Sequence, residues 1–245
     1  MSQVIRRSAA ILRALEQHPE GRSVAEVAAL VSLPRSTVHR LLQSLAEEHL
    51  VTPVSEERGF RLGAGLMHLA TSATKWLVEN ITPFLRDLSV ELEETVDLAV
   101  LSGSNVYFID QVAAPHRLQA VSQTGLAFPL HCTANGKALL ADMTDDQVRA
   151  LVGESLVRHT ANTIANIDDL LAELHDVRTR RVAFDRDEHT DGISAAGTSI
   201  RNPYGLALAM SVPVPTSRFS ENEERITSGV IDGRKRIENH FAFQP

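Results

Sequence analysis

The chain has 245 residues, and its formal net charge is −7 at neutral pH. This length exceeds that of one small module and predicts two domains. Hydrophobic residues make up 43% of the chain and charged residues 22%, a balance typical of globular proteins with ordinary cores. The acidic total argues against non-specific nucleic-acid binding by the chain as a whole.

No stretch resembles a membrane span, because the longest apolar runs, 96–101 and 206–212, have only the length of strands. The N-terminus is basic and then apolar, but Arg13 and Glu16 interrupt the apolar part and no small-residue cleavage site follows, which argues against a signal peptide. The single cysteine, Cys132, has no partner for an internal disulfide. We therefore expect a cytoplasmic protein that needs neither a membrane nor a cofactor.

Basic charge is concentrated near the start of the chain. Residues 1–62 carry eight arginines, no lysine, seven glutamates and no aspartate, a net charge of +1, whereas the remainder carries −8. This asymmetry places any DNA contact in the first quarter of the chain, although +1 alone is far from a strongly basic footprint.

The first 62 residues show the signals of two helices in succession. Ile5, Ser8, Leu12 and Leu15 keep helical spacing, and turn-forming residues at 18–21 end that helix. A capping box formed by Ser23 and Glu26 opens the second helix. The buried stripe of the second helix is predicted to consist of Val24, Val27, Ala28 and Val31.

A break at 32–34 leads to a third helix, and strand segments at 50–54 and 60–62 then flank a turn near Gly59. Three helices followed by a hairpin predict a winged helix-turn-helix. Any small helical domain with short loops is the alternative.

The third helix, within 34–48, separates an apolar face from a polar one. The apolar face carries Val38, Leu41, Leu42 and Leu45 at positions i, i+3, i+4 and i+7. At about 100° per residue, the polar face carries side chains that hydrogen-bond bases and phosphates, with no acidic residue before the end of the helix. These candidates are Ser36, His39, Arg40, Gln43 and Ser44, and Arg58 and Arg61 in or near the hairpin are candidate phosphate contacts.

Residues 63–80 predict a linker helix, and Pro83 is predicted to interrupt it and begin another. The apolar side of the linker carries Leu66, Leu69, Ala73 and either Trp76 or Leu77. This side is suited either to a second subunit or to the chain's own domain.

From residue 96 onward, alternating strand and helix signals predict an α+β domain. A hairpin is expected at 96–112 around the turn at 102–105, and a further strand around 118–121. A second capping box, Ser220 with Glu223, is predicted to open a C-terminal helix that runs to about residue 241. The remaining predicted elements are helices at 135–142, 144–152 and 167–181 and strands at 182–185, 194–200 and 205–212.

Motifs along nearly the whole chain, in order, resemble those of the IclR family of regulators. They are 33–51, 60–70, 94–101, 129–141, 184–197 and 209–218. The resemblance implies a winged helix-turn-helix at 1–62, the linker helix at 63–80 and a GAF-like effector-binding domain with an antiparallel sheet at 81–245. It also implies homodimers or homotetramers on palindromic double-stranded operator DNA, and a small-molecule effector that is often a carboxylate.

The resemblance also implies roles for individual residues. In the recognition helix it assigns DNA contact to Arg35, Ser36, Thr37, His39 and Arg40. In the effector domain it assigns the acid-binding loop to Ala134, Asn135 and Gly136, and further pocket positions to Asp185, Ile193, Ala195 and Ser211.

The loop 133–136 suits an anion on physical grounds, because amides at a helix N-terminus point outward unpaired. Taken alone, the local sequence favours an ordinary cap by Thr133 or Asn135. Ser32 stands where the family usually has glycine, which predicts a slightly different backbone in that turn. The small residues at 194–199 are interpreted as room for an effector larger than pyruvate or glyoxylate, such as an aromatic acid.

An enzyme is the competing class of function. Cys132 with His131 or His189, and Asp185, would be the site of a cysteine-dependent hydrolase with an accessory helix-turn-helix. A lone cysteine with apolar neighbours is more often buried and inert. No metal is expected either, because adjacent residues on a strand point to opposite faces, which separates His131 from Cys132. Two further acids of this region, Asp187 and Glu188, are predicted to be solvated turn or cap groups.

Overall fold

The structure is a computed structural model that describes residues 3–16, 18–55, 58–120, 122 and 126–242. The chain divides into two compact units, Met1–Trp76 and Leu77–Pro245. The division falls inside one long helix, within the residues 63–80 that are predicted to be the linker. No helix among the described residues is long and apolar enough to cross a bilayer.

The N-terminal unit contains the predicted three helices and hairpin. They are α1 (Gln3–Glu16), α2 (Val24–Val31), α3 (Arg35–Glu47), β1 (Val51–Ser55) and β2 (Gly59–Leu62). The capping box of α2 is formed, since the Glu26 amide donates to Ser23 Oγ and the Ser23 amide donates to Glu26 Oε2. The sequence did not predict that Arg22 and Phe60 exchange two backbone hydrogen bonds of 2.8 and 2.9 Å, which tie the start of α2 to the hairpin.

The core of this unit follows the helical pattern closely in α3 and less closely in α1. The whole predicted apolar face of α3 is buried. In α1, Ile5 is 72% exposed although its spacing predicts burial. Only the second half of α1 carries buried residues, and there Ile11 and Leu15 supply the contact with the core.

Helix α4 (Gly65–Leu92) continues through Pro83, so the prediction that one helix ends there and another begins is wrong. Proline removes one backbone hydrogen bond and costs about 3 kcal/mol within a helix. Buried leucine and isoleucine side chains on both sides of Pro83 lie on one stripe of the same core, and their burial offsets that cost. They are Leu77, Ile81, Leu85, Leu88 and Leu92.

The C-terminal unit is built on one six-stranded antiparallel sheet with the order β5-β4-β3-β8-β7-β6, and the predicted α+β fold class is confirmed. Its strands are β3 (Val96–Ser102), β4 (Asn105–Val112), β5 (Ala127–Pro129), β6 (Ala183–Arg186), β7 (Ile193–Ile200) and β8 (Leu208–Pro215). Its helices, besides the second half of α4, are α5 (Ala134–Leu140), α6 (Asp145–Val152), α7 (Ile167–Arg180) and α8 (Thr216–Ala242).

The two faces of this sheet carry two separate cores, because side chains alternate along each strand. Leu98 and Met210 belong to the core that includes α4 and α8. Their neighbours Ala99 and Ala209 belong to the core that includes α5, α6 and α7. The second face, with its smaller side chains, is the one on which the candidate effector site lies.

Two predicted elements of this unit are wrong. Residues 118–120 form no strand, and Val121 lies outside the described residues; the strand next to β4 is instead β5. The second capping box is not formed, because α8 already begins at Thr216 and Ser220 Oγ donates to the Thr216 carbonyl at 3.0 Å. The helix departs from regular geometry two residues later, at Asn222 (φ −123°, ψ 15°).

Candidate functional site

The polar face of α3 lies on the outside of the N-terminal unit. Arg35, Ser36, His39, Arg40, Gln43 and Ser44 are exposed, and Thr37 is half-buried. We call these seven residues the α3 surface. Within the part of the chain that the structure describes, neither Arg35 nor Arg40 is engaged in an ion pair. Their guanidinium groups are therefore available to an external acceptor.

The turn between α2 and α3 has the backbone that a glycine would adopt. Ser32 takes the left-handed conformation (φ 52°, ψ 47°), and the Leu33 amide donates to the Ala28 carbonyl at 3.1 Å. The turn therefore has a left-handed residue although no glycine stands there. The left-handed conformation costs serine energy that it would not cost glycine.

The hairpin presents Arg58 and Arg61 to solvent. Arg61 pairs with Thr52 across the two strands. Gly59 has φ +65°, and a Cβ there would lie 2.1 Å from the Arg22 carbonyl oxygen, so the close approach of hairpin and α2 requires glycine. The structure thus places both predicted phosphate contacts on a hairpin that is anchored to the helices.

A cavity of about 390 Å³ lies at the start of α5 in the C-terminal unit. Seven of the eight predicted effector residues line it: Thr133, Ala134, Asn135, Asp185, Ile193, Ala195 and Ser211. Gly136 does not. A Cβ at Gly136 would lie 2.3 Å from the Leu130 carbonyl oxygen, so this glycine allows α5 to pack against the preceding turn.

Several lining residues were not predicted from the sequence. They include Asp97, Phe108, Gln119, Ser122, Phe128 and His189. One sequence signal could have found Asp97, because a carboxylate within an apolar strand is a buried polar group that needs an explanation.

Asp97 is fully buried, and its carboxylate accepts hydrogen bonds of 2.6 Å from both Gln111 and Ser122. Burial raises the pKa of Asp97 to about 7, against the opposing effect of these two hydrogen bonds. Asp97 also pairs with Ser211 on the neighbouring strand. The carboxyl group is thus fixed in position and titrates near neutral pH.

Asp185 is the second carboxyl group of the cavity. Its Oδ1 accepts from the amides of Glu188 at 2.8 Å and His189 at 3.4 Å. Burial raises its pKa to about 7, and the nearby Glu188 carboxylate acts in the same direction. Among the described residues, no lysine or arginine lines the cavity, so its charged groups favour hydrogen-bond donors over anions.

Asn135 joins α5 to the sheet. Its Nδ2 donates to Ser211 Oγ at 2.9 Å, and its Oδ1 is buried without a partner among the described residues. Gly197 allows this approach, since a Cβ there would lie 3.0 Å from the Ala134 carbonyl carbon. Of the small residues at 194–199, Gly197 thus allows α5 to approach the sheet, and Ala195 alone lines the cavity.

The prediction that Glu188 is solvated is wrong. Its carboxylate is buried and accepts from Lys137 Nζ at 2.6 Å, and Lys137, which is 0% exposed, also binds Glu173. Burial raises the pKa of Glu188 although Lys137 lowers it. Asp187 does serve the turn, accepting from the Gly192 amide at 2.6 Å.

Cys132 and His131 lie in the turn before α5 rather than on a strand, so the reason given for separating them is wrong. Cys132 is 0% exposed. Burial raises the pKa of the Cys132 thiol to about 12, and the carboxylates of Asp185 and Glu188 contribute. A thiol that is neutral and enclosed at physiological pH is unsuited to be a hydrolytic nucleophile.

Two family models together match most of the chain. The model described as "IclR helix-turn-helix domain" matches residues 4–55, and the one described as "Bacterial transcriptional regulator IclR C-terminal" matches residues 70–237. Curated relatives are similar over most of their lengths. The HTH-type transcriptional regulator Rv1719 of Mycobacterium tuberculosis is 41% identical, covering 98% of this chain and 92% of the relative. TtgV of Pseudomonas putida is 39% identical, covering 96% and 90%.

Solved structures show the same fold at lower identity. IclR of Thermotoga maritima matches with a TM-score of 0.65 and 23% identity, covering 98% of both chains. An IclR homolog from Microbacterium hydrocarbonoxydans, in complex with 4-hydroxybenzoate, matches with a TM-score of 0.65 and 18% identity, covering 99% of this chain and 100% of the other. These relatives are transcriptional regulators rather than enzymes.

Proposed function

This chain belongs to the IclR family of bacterial transcriptional regulators, which bind DNA and carry a C-terminal ligand-binding domain. We propose that it recognises a specific double-stranded operator through the α3 surface. We further propose that a small organic molecule in the cavity at the start of α5 changes its affinity for that operator.

The observation that carries this proposal is the exposed face of α3. It offers Arg35 and Arg40 together with hydroxyl, amide and imidazole groups, and these side chains are exposed or half-buried. Arginine can donate two hydrogen bonds to a guanine edge, and hydroxyl and amide groups reach adenine or phosphate. We propose that Arg58 and Arg61 on the hairpin bind the phosphate backbone beside the major groove that α3 reads.

We propose that two subunits of this chain together bind a palindromic operator. Two recognition helices read successive major grooves when they lie about 34–36 Å apart. The N-terminal part of α4 exposes large apolar residues, with Met67 at 71% and Leu69 at 60% exposure. Such residues favour association through the linker into a homodimer, and two dimers can form a homotetramer.

The cavity favours an effector with an aromatic or apolar body. Phe108 and Phe128 stand edge to face, with ring centroids 4.9 Å apart, and Ile193 and Pro213 add apolar surface. At the polar end, the carboxyl groups of Asp97 and Asp185 accept hydrogen bonds. We propose that the effector places a hydroxyl group toward these two residues.

An organic acid, the class that the resemblance implies, would place its carboxylate away from Asp97 and Asp185, at the first turn of α5. The amides of Ala134 and Asn135 lie at that turn and have no intrahelical acceptor. A hydroxylated aromatic acid meets both requirements, and the Microbacterium homolog is itself a complex with 4-hydroxybenzoate.

A thermal-shift screen of the purified protein tests the effector class. The ligands are matched sets of phenol, benzoate and 4-hydroxybenzoate with their larger ring analogues. We expect hydroxylated ligands to raise the melting temperature more than their unsubstituted partners. Equal stabilisation by ligands with and without the hydroxyl group would contradict the roles of Asp97 and Asp185. The DNA-binding proposal would be unaffected.

A second measurement tests the regulatory link. Operator duplexes selected from a random library are titrated by fluorescence anisotropy with and without the best ligand of the screen. The ligand alters affinity only if it binds one arrangement of the protein better than another. A ligand that stabilises the protein and leaves operator affinity unchanged would argue against effector control through this cavity.

A further inference from the structure

Three side chains that commonly bind metal ions converge beside the effector cavity. His131 and Cys132 lie in the turn before α5, and His159 lies on the connection between α6 and α7. One imidazole nitrogen of each histidine and the Cys132 Sγ lie within 4.8 Å of one another. Ligand atoms around one tetrahedral zinc are about 3.3–3.8 Å apart, so small side-chain rotations would complete the geometry.

One ring nitrogen of His131 is held by a backbone carbonyl. Its Nε2 lies 2.8 Å from the Val157 carbonyl oxygen. A carbonyl only accepts hydrogen bonds, so Nε2 carries the hydrogen and Nδ1 keeps the lone pair. Histidines that bind metals usually have their other nitrogen held by such an acceptor, which fixes the ring.

The second imidazole stands next to the first. The rings of His131 and His159 have centroids 5.9 Å apart and are inclined at 35°. His159 is exposed whereas His131 and Cys132 are buried, so the cluster is open to solvent on the side of His159.

From this arrangement we propose that His131, Cys132 and His159 bind one Zn²⁺ or a similar thiolate-preferring cation, with a fourth position left for water or another ligand. Imidazole and thiolate together select zinc or copper(I) rather than magnesium or calcium. Binding forms two metal–nitrogen bonds and one metal–sulfur bond, and the thiol proton passes to solvent. A divalent ion with one thiolate leaves a charge of +1, which the nearby carboxylates of Asp185 and Glu188 stabilise.

This site is distinct from the proposed effector contacts. Its three ligands are not among the residues that line the cavity. The two sites adjoin, since Cys132 directly precedes the cavity residue Thr133, and His189 of the cavity lies with its ring 5.2 Å from that of His159. The metal proposal does not depend on the identity of the effector.

Cobalt(II) is a suitable spectroscopic probe, because it substitutes for zinc and a thiolate ligand produces a charge-transfer band in the near ultraviolet. The reduced, tag-free full-length protein is titrated with Co²⁺ and then with Zn²⁺ in competition with a chromophoric chelator. The variants are H159A and C132A, and H175A is the control because His175 is an exposed histidine on α7.

We expect one ion per chain, with the thiolate band, in the parent protein and in H175A. H159A should bind at least about tenfold more weakly, and C132A should lose the thiolate band. Equal affinity in H159A and H175A, or the absence of stoichiometric binding by the parent protein, would overturn the proposal. If C132A fails to fold, the comparison of H159A with H175A still decides, because both replaced side chains are exposed.

Discussion

Arg40 lies in the middle of the α3 surface, with its side chain exposed and with no ion pair among the described residues. An arginine in this position can read a guanine through two hydrogen bonds. Lysine keeps the charge but lacks the planar pair of donors. Charge and geometry at this residue are therefore separable by substitution.

We expect Arg40→Ala to reduce the preference for the operator over a scrambled duplex by about 1–3 kcal/mol. Arg40→Lys should restore part of the affinity but little of the preference. Anisotropy titrations against both duplexes measure this, and Arg180→Ala on α7 is the control because Arg180 is exposed on the C-terminal unit. An unchanged preference in Arg40→Ala would refute the assignment.

Asp97 makes stability depend on pH. Its pKa is raised to about 7 in the folded protein, whereas an unfolded aspartate titrates near its ordinary value of 3.8. The folded state thus binds the proton more tightly, so the contribution to stability is fully present below about pH 4 and is lost as pH rises through 7. Above that range the folded protein holds a buried carboxylate that accepts two hydrogen bonds but has no ion pair with a cation among the described residues.

We expect the free energy of unfolding of Asp97→Asn, relative to that of the parent protein, to increase as pH rises from 4 to 8. The increase should be on the order of 2–4 kcal/mol. Urea unfolding of both proteins across this range gives the difference. Ser122→Ala keeps the carboxyl group but removes a hydrogen bond that lowers its pKa, so its stability should still fall as pH rises, with the loss displaced to higher pH. A stability difference that stays constant with pH would show that Asp97 is not the titrating group.

At the scale of single elements, the α2–α3 turn combines regular geometry with an unfavourable residue. Ser32 is exposed and has φ 52°, a conformation that costs a non-glycine residue about 1 kcal/mol. The hydrogen bonds of the helix end are nevertheless formed. The turn before α3 is therefore determined by backbone bonding rather than by the residue's own preference.

Ser32→Gly should stabilise the protein by about 0.5 kcal/mol, since relief of strain exceeds the added entropy of the unfolded chain. Ser36→Gly should instead destabilise it by roughly 0.5 kcal/mol, because Ser36 is an exposed residue within α3. Urea denaturation of the two variants compares them directly. Two changes of the same sign would contradict this account.

The helix α4 shows a second conflict between local and tertiary preference. Pro83 favours a break, and the buried stripe that includes Ile81 and Leu85 favours continuity. The helix continues through Pro83 because its segments on both sides of this residue pack on one core. As a result, the helix that begins in the N-terminal unit ends inside the C-terminal unit.

At the scale of the whole molecule, the proposed DNA surface and the proposed effector site lie in different units of one chain. The α3 surface belongs to Met1–Trp76 and the cavity to Leu77–Pro245. A substitution in the cavity should therefore alter the response to the effector without altering DNA affinity in its absence.

Asp185→Ala should abolish the effector-dependent change in operator affinity and leave the effector-free affinity within about twofold, because only a ligand contact is lost. Asp191→Ala is the matched control, because Asp191 is an exposed carboxylate in the turn that follows β6, and it should respond as the parent does. Anisotropy titrations with and without effector report both quantities. A full response in Asp185→Ala would place the effector elsewhere.

Sequence patterns alone predicted much of this protein: the order of the helices, the two faces of α3 and the hairpin β3–β4. The family resemblance, with the loop at 133–136, supplied seven of the residues that line the cavity. These features depend on local periodicity, turn residues and motifs, which are visible in consecutive residues. The order of the motifs also indicated the family, but the motifs did not show what their individual residues contact. For example, Glu94 and Arg218 come from two separate motifs and form a bidentate ion pair of 2.6 and 2.8 Å.

Only the tertiary structure decided which polar groups are buried and what they meet. Asp97 and Lys137 have no local signal that sets their partners, since these come from segments remote in sequence. The same holds for His159, which lies 27 residues after Cys132 along the chain and yet beside it in space. Periodicity specifies which face a residue takes, whereas the electrostatics of a site depends on distances between segments remote in sequence.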